Sequence, residues 1–214
     1  MGRQWVSTPN ETLTFSVAYP FKKPISALSG LSLACGLAII RGISQATNLS
    51  LSELQNHQLA LKWPNDILLK KKKLAGMLIE GGQLRPEDPT WLIIGIGINL
   101  ANSQHIDHQI GRPIGALTDI FSKDQLDADL LWLSLIKELG AIIEKFETGS
   151  FADFHDEWNQ WDAYKNETCQ IHQNSNLQYE GINQGVDNEG CLILKTSTGI
   201  KKIISGDVSL RSTS

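Results

Sequence analysis

An α+β fold is the class this sequence predicts, and three observations carry the reading. Strand-like segments dominate the first hundred residues, two stretches of helical periodicity accompany them, and beyond Asp162 the pattern changes to short strands at close intervals. A chain of 214 residues, 41% of them hydrophobic, is long enough to bury a core in one large domain or in a medium domain plus a small one. We divide it into residues 1–163 and 164–214, the second part having the strand spacing of a small barrel.

Residues 13–19, Leu-Thr-Phe-Ser-Val-Ala-Tyr, alternate with period two and predict a half-buried strand. Pro20 and Pro24 then mark a turn. From 25 to about 44, Leu28, Leu31, Leu33, Ala34, Leu37, Ala38 and Ile39 fit one wide face of a helix with Pro24 in its first turn. Gly30 and Gly36 fall inside that stretch, where each costs up to about 1 kcal/mol relative to alanine, so the helix is expected to pack closely against a sheet there. Residues 48–58 read as a polar loop with a short helical turn; 59–63, 67–69, 74–81 and 91–100 read as successive strands, with a proline-bearing connection at 83–90. Residues 101–115 lack periodicity and read as a loop. Leucines and isoleucines from Leu126 to Ile143 predict a helix over 124–147, and 150–161 continues as a second. The closing strands are expected at 168–172, 179–186, 191–195 and 200–204.

The formal net charge of −4 argues against phosphate-neutralising binding of DNA or RNA, which needs clustered basic residues in excess. The longest apolar runs, 31–40 and 91–100, are too short to cross a bilayer, and the first residues have no charged-then-apolar leader pattern, so a cytoplasmic protein is expected. Cys35, Cys169 and Cys191 show no Cys-x-x-Cys spacing and read as buried thiols; a Cys169–Cys191 contact is conceivable but would be unusual in a reducing compartment. His105 and His108 are spaced like helical metal ligands, yet they sit in a polar loop without a glutamate partner, and we reject a zinc site there.

Chemistry concentrates in three segments: Lys-Trp-Pro-Asn-Asp at 62–66, Lys-Leu-Ala-Gly-Met-Leu-Ile-Glu at 73–80 after a six-residue lysine-rich connection, and Gly-Ile-Gly-Ile-Asn at 95–99. Lys70, Lys71 and Lys72 read as a solvated basic turn. Lys73 differs because it opens an apolar strand that can hold its stem rigidly. Gly95 and Gly97 lie two apart and therefore share one face of a strand, where glycine is costly unless something must approach the backbone. By themselves Asn65 and Asp66 are also ordinary turn residues after Pro64, Lys62 a strand-edge charge, and Asn99 a strand-ending residue.

In order, spacing and strand context the three segments resemble the biotin protein ligases, and the resemblance runs on to Ser-Leu-Arg-Ser at 209–212. It implies a mixed β-sheet flanked by helices, of the class II synthetase and biotin–lipoate ligase type, with an appended SH3-like barrel. It also implies an ATP- and Mg2+-dependent reaction in which biotin is activated to biotinyl-AMP and passed to a lysine of a biotin carboxyl carrier domain of acetyl-CoA carboxylase. By the same resemblance Lys73 touches biotin and the α-phosphate, and Gly95 and Gly97 make room for the biotin rings. Asn99 lies near the ATP phosphates and magnesium, Arg3 and Trp5 meet phosphate and adenine, and Arg211 extends toward the nucleotide. Asp66 is expected to orient Lys73 across the hairpin and to help the acceptor lysine lose its proton, since an amine of pKa about 10.4 is only about 0.1% neutral near pH 7.4.

Family members carry a loop of the form Gly-Arg-Gly-Arg-Xaa-Gly-Arg-Xaa-Trp, preceded by a Ser-Thr-Asn motif and a glutamine that hold biotin. Met1-Gly2-Arg3-Gln4-Trp5 aligns with the end of that loop. The expectation is that these 214 residues alone bind biotin weakly, turn over little, and expose an unpaired sheet edge and apolar surface that favour self-association, a homodimer included. Operator binding through a helix-turn-helix domain is not expected of this chain. Two alternatives stay open: a lipoate ligase, and a non-catalytic protein that keeps the fold for dimerisation or carrier binding.

Overall fold

The computed structural model of the protein describes residue 7 and residues 9–101, 114–122, 125–173, 176–204 and, in backbone only, 208–212. The first sheet is built from β1 (Thr12–Phe21), β2 (Leu59–Lys62), β3 (Asp66–Leu69), β4 (Lys72–Gly82) and β5 (Thr90–Asn99), in the order β1-β5-β4-β3-β2. Each ladder in it is antiparallel. Parallel pairing among the described residues is confined to two isolated bridges, Leu61 with Asp162 and Lys73 with Ile114. One face of the sheet, with Leu61, Ile67, Ala75, Met77, Leu92, Ile94, Ile96 and Ile98, is buried. Each leucine, isoleucine or methionine among them contributes about 1.5–3 kcal/mol by leaving water.

Helix α1 (Leu31–Thr47) covers that face and α3 (Ala128–Thr148) crosses α1; between them in sequence comes α2 (Leu51–Asn56), and α4 (His155–Trp161) follows. The helix expected from residue 25 begins instead at Leu31. A 3-10 turn, Ile25–Leu28, precedes it, and Gly30 sits between them at φ +78°. A Cβ on Gly30 would lie 2.5 Å from Cγ of Phe151, so the ring and the left-handed backbone both require glycine. Gly36 meets its expectation: its Cβ would lie 3.0 Å from Cδ2 of Leu61, so the helix does rest closely on the sheet. Helix α2 is the short helical turn expected within residues 48–58, and a capping box of Ser50 and Glu53 starts it. Helix α3 starts four residues later than predicted, where the Asp127 carboxylate accepts from the N–H groups of Asp129 and Leu130. Residues 151–153 form a 3-10 turn, which shortens the last helix to His155–Trp161.

A second antiparallel sheet comprises β6 (Thr168–Gln173), β7 (Asn176–Val186), β8 (Leu192–Thr196), β9 (Gly199–Ile203) and β10 (Val208–Ser212), ordered β10-β6-β7-β8-β9. Residues 162–164 lead into it along the edge of β2, where Ala163 donates to the Leu61 carbonyl at 2.8 Å. All three cysteines are buried free thiols. No helix among the described residues is long and apolar enough to cross a membrane.

Candidate functional site

The working face of the first sheet is the one opposite the core. Register fixes a transverse row across all five strands: Lys62 opposite Asp66, Asp66 opposite Gly76, Gly76 opposite Gly97, and Gly97 opposite Thr14. The next row is Leu78, Gly95 and Ser16. Successive residues of a strand point to opposite faces, so Gly76, Gly95 and Gly97 together clear a flat floor. Leu78 and Ile93 flank it with more than half of their surface exposed, 58% and 53%.

At one end of this floor stands a cluster of three charges. Lys73 Nζ lies 2.5 Å from Asp66 Oδ1, and Lys62 Nζ lies 3.6 Å from Asp66 Oδ2, so one carboxylate lies between two ammonium groups. The side chains of Asp66 and Lys62 are largely covered, and Lys73 keeps a quarter of its surface open. Low exposure strengthens such charge-assisted contacts relative to a surface pair.

Lys73 reaches this position through a β-bulge. Ile67 pairs with Ala75, but Leu68 pairs with Lys73, so Leu74 is an extra residue in β4. In a regular ladder Lys73, three residues from Gly76, would point into the core. The bulge brings it onto the face of Asp66 and leaves Leu74 fully buried. The connection from β3 to β4 is not the six-residue turn expected but two residues, Lys70 and Lys71, at φ +50° and +62°. This is the conformation a two-residue hairpin with type I′ twist requires. Lys70 donates to the Asp119 carbonyl and Lys71 pairs with Glu167 at 3.3 Å, both away from Asp66.

The turn that delivers Asp66 is held on several sides. Asn65 Nδ2 donates to the Met77 carbonyl at 2.7 Å and Met77 N donates back to the Asn65 carbonyl. Ser32 Oγ in the first turn of α1 donates to the Pro64 carbonyl. The indole N–H of Trp63, a fully buried side chain, donates to the Gly190 carbonyl at 3.2 Å. Asn99 is buried at the end of β5, where its Nδ2 donates to the carbonyls of Lys73 and Gly115, which fixes the backbone from which the Lys73 side chain springs.

Asp66, Lys73, Gly95, Gly97 and Asn99 are thus brought together. Arg3 and Trp5 lie outside the described residues, as do His105 and His108. Arg211 lies in β10 opposite Gln170 of β6. Sequence reasoning missed Gly76, although a glycine in a strand interior was the signal already used for Gly95 and Gly97. A Cβ there would lie 2.8 Å from Lys73 Nζ and 3.2 Å from Asp66 Oδ1.

A glycine floor ending in a lysine–carboxylate–lysine cluster gives this face open backbone with a net positive charge at one end. Residues 1–99 match the Biotin/lipoate A/B protein ligase family, and residues 166–211 match the Biotin protein ligase C terminal domain. The solved structure of a biotin protein ligase from Aquifex aeolicus, in complex with biotin and ATP, superposes with a TM-score of 0.80 at 30% identity, covering 99% of this chain and 83% of that one. The bifunctional ligase/repressor BirA of Escherichia coli is 30% identical over 99% of this chain, which spans 62% of BirA's length. The biotin--[acetyl-CoA-carboxylase] ligase of Paracoccus denitrificans is 27% identical over 97% of this chain and 83% of its own. The chain belongs to the biotin protein ligase family.

Proposed function

We propose that the protein is an ATP-dependent biotin–protein ligase and that the cluster of Lys62, Asp66 and Lys73 beside the glycine floor is its reaction centre. The observation that carries this reading is the 2.5 Å contact between Lys73 Nζ and Asp66 Oδ1 at the end of a floor cleared by Gly76, Gly95 and Gly97. The rings of biotin lie on the floor, and the valerate carboxylate reaches Lys73. Attack of that carboxylate on the α-phosphorus of ATP forms a P–O bond and expels pyrophosphate. The ε-amine of a carrier lysine then attacks the carbonyl of biotinyl-AMP, an amide forms, and AMP leaves.

Both steps build negative charge on oxygen, which a fixed ammonium stabilises without reorganising. Asp66 holds that ammonium in place and is the nearby acceptor for the proton the carrier amine must lose. Mg2+ prefers octahedral oxygen coordination and commonly enters with substrate phosphates. Asp66, already between two ammonium groups, is a poor ligand for it, so the metal would enter with the triphosphate oxygens, and the family resemblance would put Asn99 near it. Arg3, Trp5 and Arg211 are assigned to the nucleotide by the family resemblance. Residues 164–214 are assigned to a separate SH3-like unit, the carrier domain of acetyl-CoA carboxylase to the acceptor, and the three unpaired thiols support a cytoplasmic setting.

The test is biotin-dependent ATP–pyrophosphate exchange by the protein as its own gene encodes it, followed by transfer to a carrier domain. Biotin-dependent exchange is expected. Exchange driven by lipoate but not biotin would make it a lipoate ligase; exchange with neither would leave a non-catalytic protein that keeps the fold for dimerisation or carrier binding.

A further inference from the structure

Among its contacts with the rest of the molecule, the carboxyl-terminal sheet reaches the start of α1 and the Trp63 indole through the turn of residues 187–191 between β7 and β8. That turn is self-supporting. Asp187 Oδ1 accepts from Glu189 N and Cys191 N, both at 2.9 Å, and Gly190 N donates to the Asp187 carbonyl. Lys202 of β9 pairs with Asp187 at 2.8 Å and with Glu189 at 2.5 Å. Burial works to raise the Asp187 carboxyl, but the Lys202 ammonium and the two N–H groups outweigh it and hold it below the usual carboxylate range. Asp187 is therefore ionised at neutral pH.

Its tip is pressed onto the start of α1. Gly190 has φ +78°, and a Cβ on it would lie 2.8 Å from the Gly30 Cα and 3.0 Å from Cδ1 of Leu33. Ser29 Oγ donates to the Glu189 carbonyl at 2.7 Å. From this position the Gly190 carbonyl accepts the indole N–H of Trp63, which lies across 127 positions of sequence and three residues before Asp66. The segment from Trp63 to Asp66 has no slack: Pro64 is held by α1 and Asn65 by β4. The Trp63–Gly190 hydrogen bond is thus one of three anchors on the segment that delivers Asp66.

We propose that Gly190 and Asp187 are positioning residues for the reaction centre, acting through Trp63 to set where Asp66 holds the Lys73 amine. This rests on the ligase reading for its catalytic consequence but not for its geometry. In a rigid site a shift of about 1 Å costs on the order of a hundredfold in rate, so a hydrogen bond far from the reacting atoms is enough to matter.

The test uses the full chain and four variants: Trp63→Phe, which removes the N–H; Asp187→Ala, which dismantles the turn; Asp187→Asn, which keeps the Oδ1 acceptor; and Asp66→Asn. The first readout needs no activity. Lysines are acylated briefly with acetic anhydride, and the rate at Lys73 is compared by mass spectrometry with that at exposed Lys137 on α3. Trp63→Phe and Asp187→Ala are expected to speed acylation of Lys73 severalfold with Lys137 unchanged, and Asp187→Asn to stay near wild type. The second readout is a double-mutant cycle on biotinyl-AMP formation. The two disruptive variants lower kcat with little change in KM for ATP, and add nothing further in the Asp66→Asn background. Unchanged Lys73 acylation, or acceleration at Lys137 in step with Lys73, overturns the proposal, as do effects that add to Asp66→Asn. A wild-type protein without biotin-dependent exchange would sink the ligase reading, and acylation alone would then decide the coupling.

Discussion

Gly76 and Lys73 divide one small volume between them: the space a Cβ would occupy on Gly76 is filled to within 2.8 Å by the Lys73 ammonium. The glycine is there so that the lysine can lie flat across β4 to Asp66.

Gly76→Ala therefore separates folding from function. The obstructed atoms are the far end of a flexible side chain, which can swing outward, and Gly→Ala also narrows the unfolded ensemble, so stability should change by less than about 1 kcal/mol. The amine, however, loses its place beside Asp66, and biotinyl-AMP formation should drop on the order of a hundredfold. Denaturant melts paired with pyrophosphate exchange check this; a variant with both full stability and full activity would contradict it.

Lys73→Ala and Lys71→Ala form a second contrast. Removing a charge that stabilises the transition state costs roughly a hundred- to a thousandfold, so Lys73→Ala should all but abolish exchange while the fold persists. Lys71 points to Glu167 in a half-exposed pair, worth at most about 1 kcal/mol, and its alanine variant should exchange pyrophosphate normally. Equal rates for the two variants would return both lysines to the surface turn.

The β3–β4 hairpin offers a stabilising change. Lys70 and Lys71 both hold positive φ, at about 1–2 kcal/mol each relative to right-handed backbone. Replacing the pair by Asn-Gly, the favoured residues for this turn, should raise stability by about 1 kcal/mol after the lost Lys71–Glu167 contact is subtracted, and the melting temperature by about 2–4 °C. A calorimetric scan reads the shift; a lower melting temperature would show that the lysine contacts outweigh the backbone.

Burial pushes the Cys35 thiol in α1 up to about 12. An unfolded thiol ionises near 8.5, so above that pH the unfolded state binds fewer protons than the folded one and stability falls as pH rises. This contribution is absent below about pH 8 and grows through the alkaline range toward the folded value, by up to about 1.4 kcal/mol per pH unit. Cys35→Ala, although less stable at neutral pH, should show a flatter decline in denaturant midpoint between pH 9 and pH 11.

Much of this arrangement was legible because residue type alone carried it. Gly95 and Gly97 at a spacing of two announce a cleared strand face, whereas the pairing of Lys73 with Asp66 came from the family resemblance and depends on a bulge that neither residue announces. The start of α1 was not legible, since apolar spacing continues from Leu28 to Leu31 across Gly30 and only the Phe151 ring, 121 positions away, explains the interruption. The bulge at Leu74 was equally invisible: leucine is an ordinary strand residue, and a register shift is a property of two strands rather than of either sequence. Strand β10 escaped for a similar reason, because Val208–Ser212 has few apolar residues and owes its extended form to pairing with β6.

The bulge makes the site sensitive to counting as well as to chemistry. Lys73 and Leu74 are neighbours that serve opposite faces of one strand, a charge toward Asp66 and an aliphatic chain toward the core, and the extra residue reconciles them. Deleting Leu74 would make the ladder regular and leave Lys73 two residues from Gly76, still on the face of Asp66, but it would empty the core position that Leu74 fills. With Leu74 present, the charge keeps its face only because that one residue stays outside the pairing, so the bulge serves the core and the cluster at once.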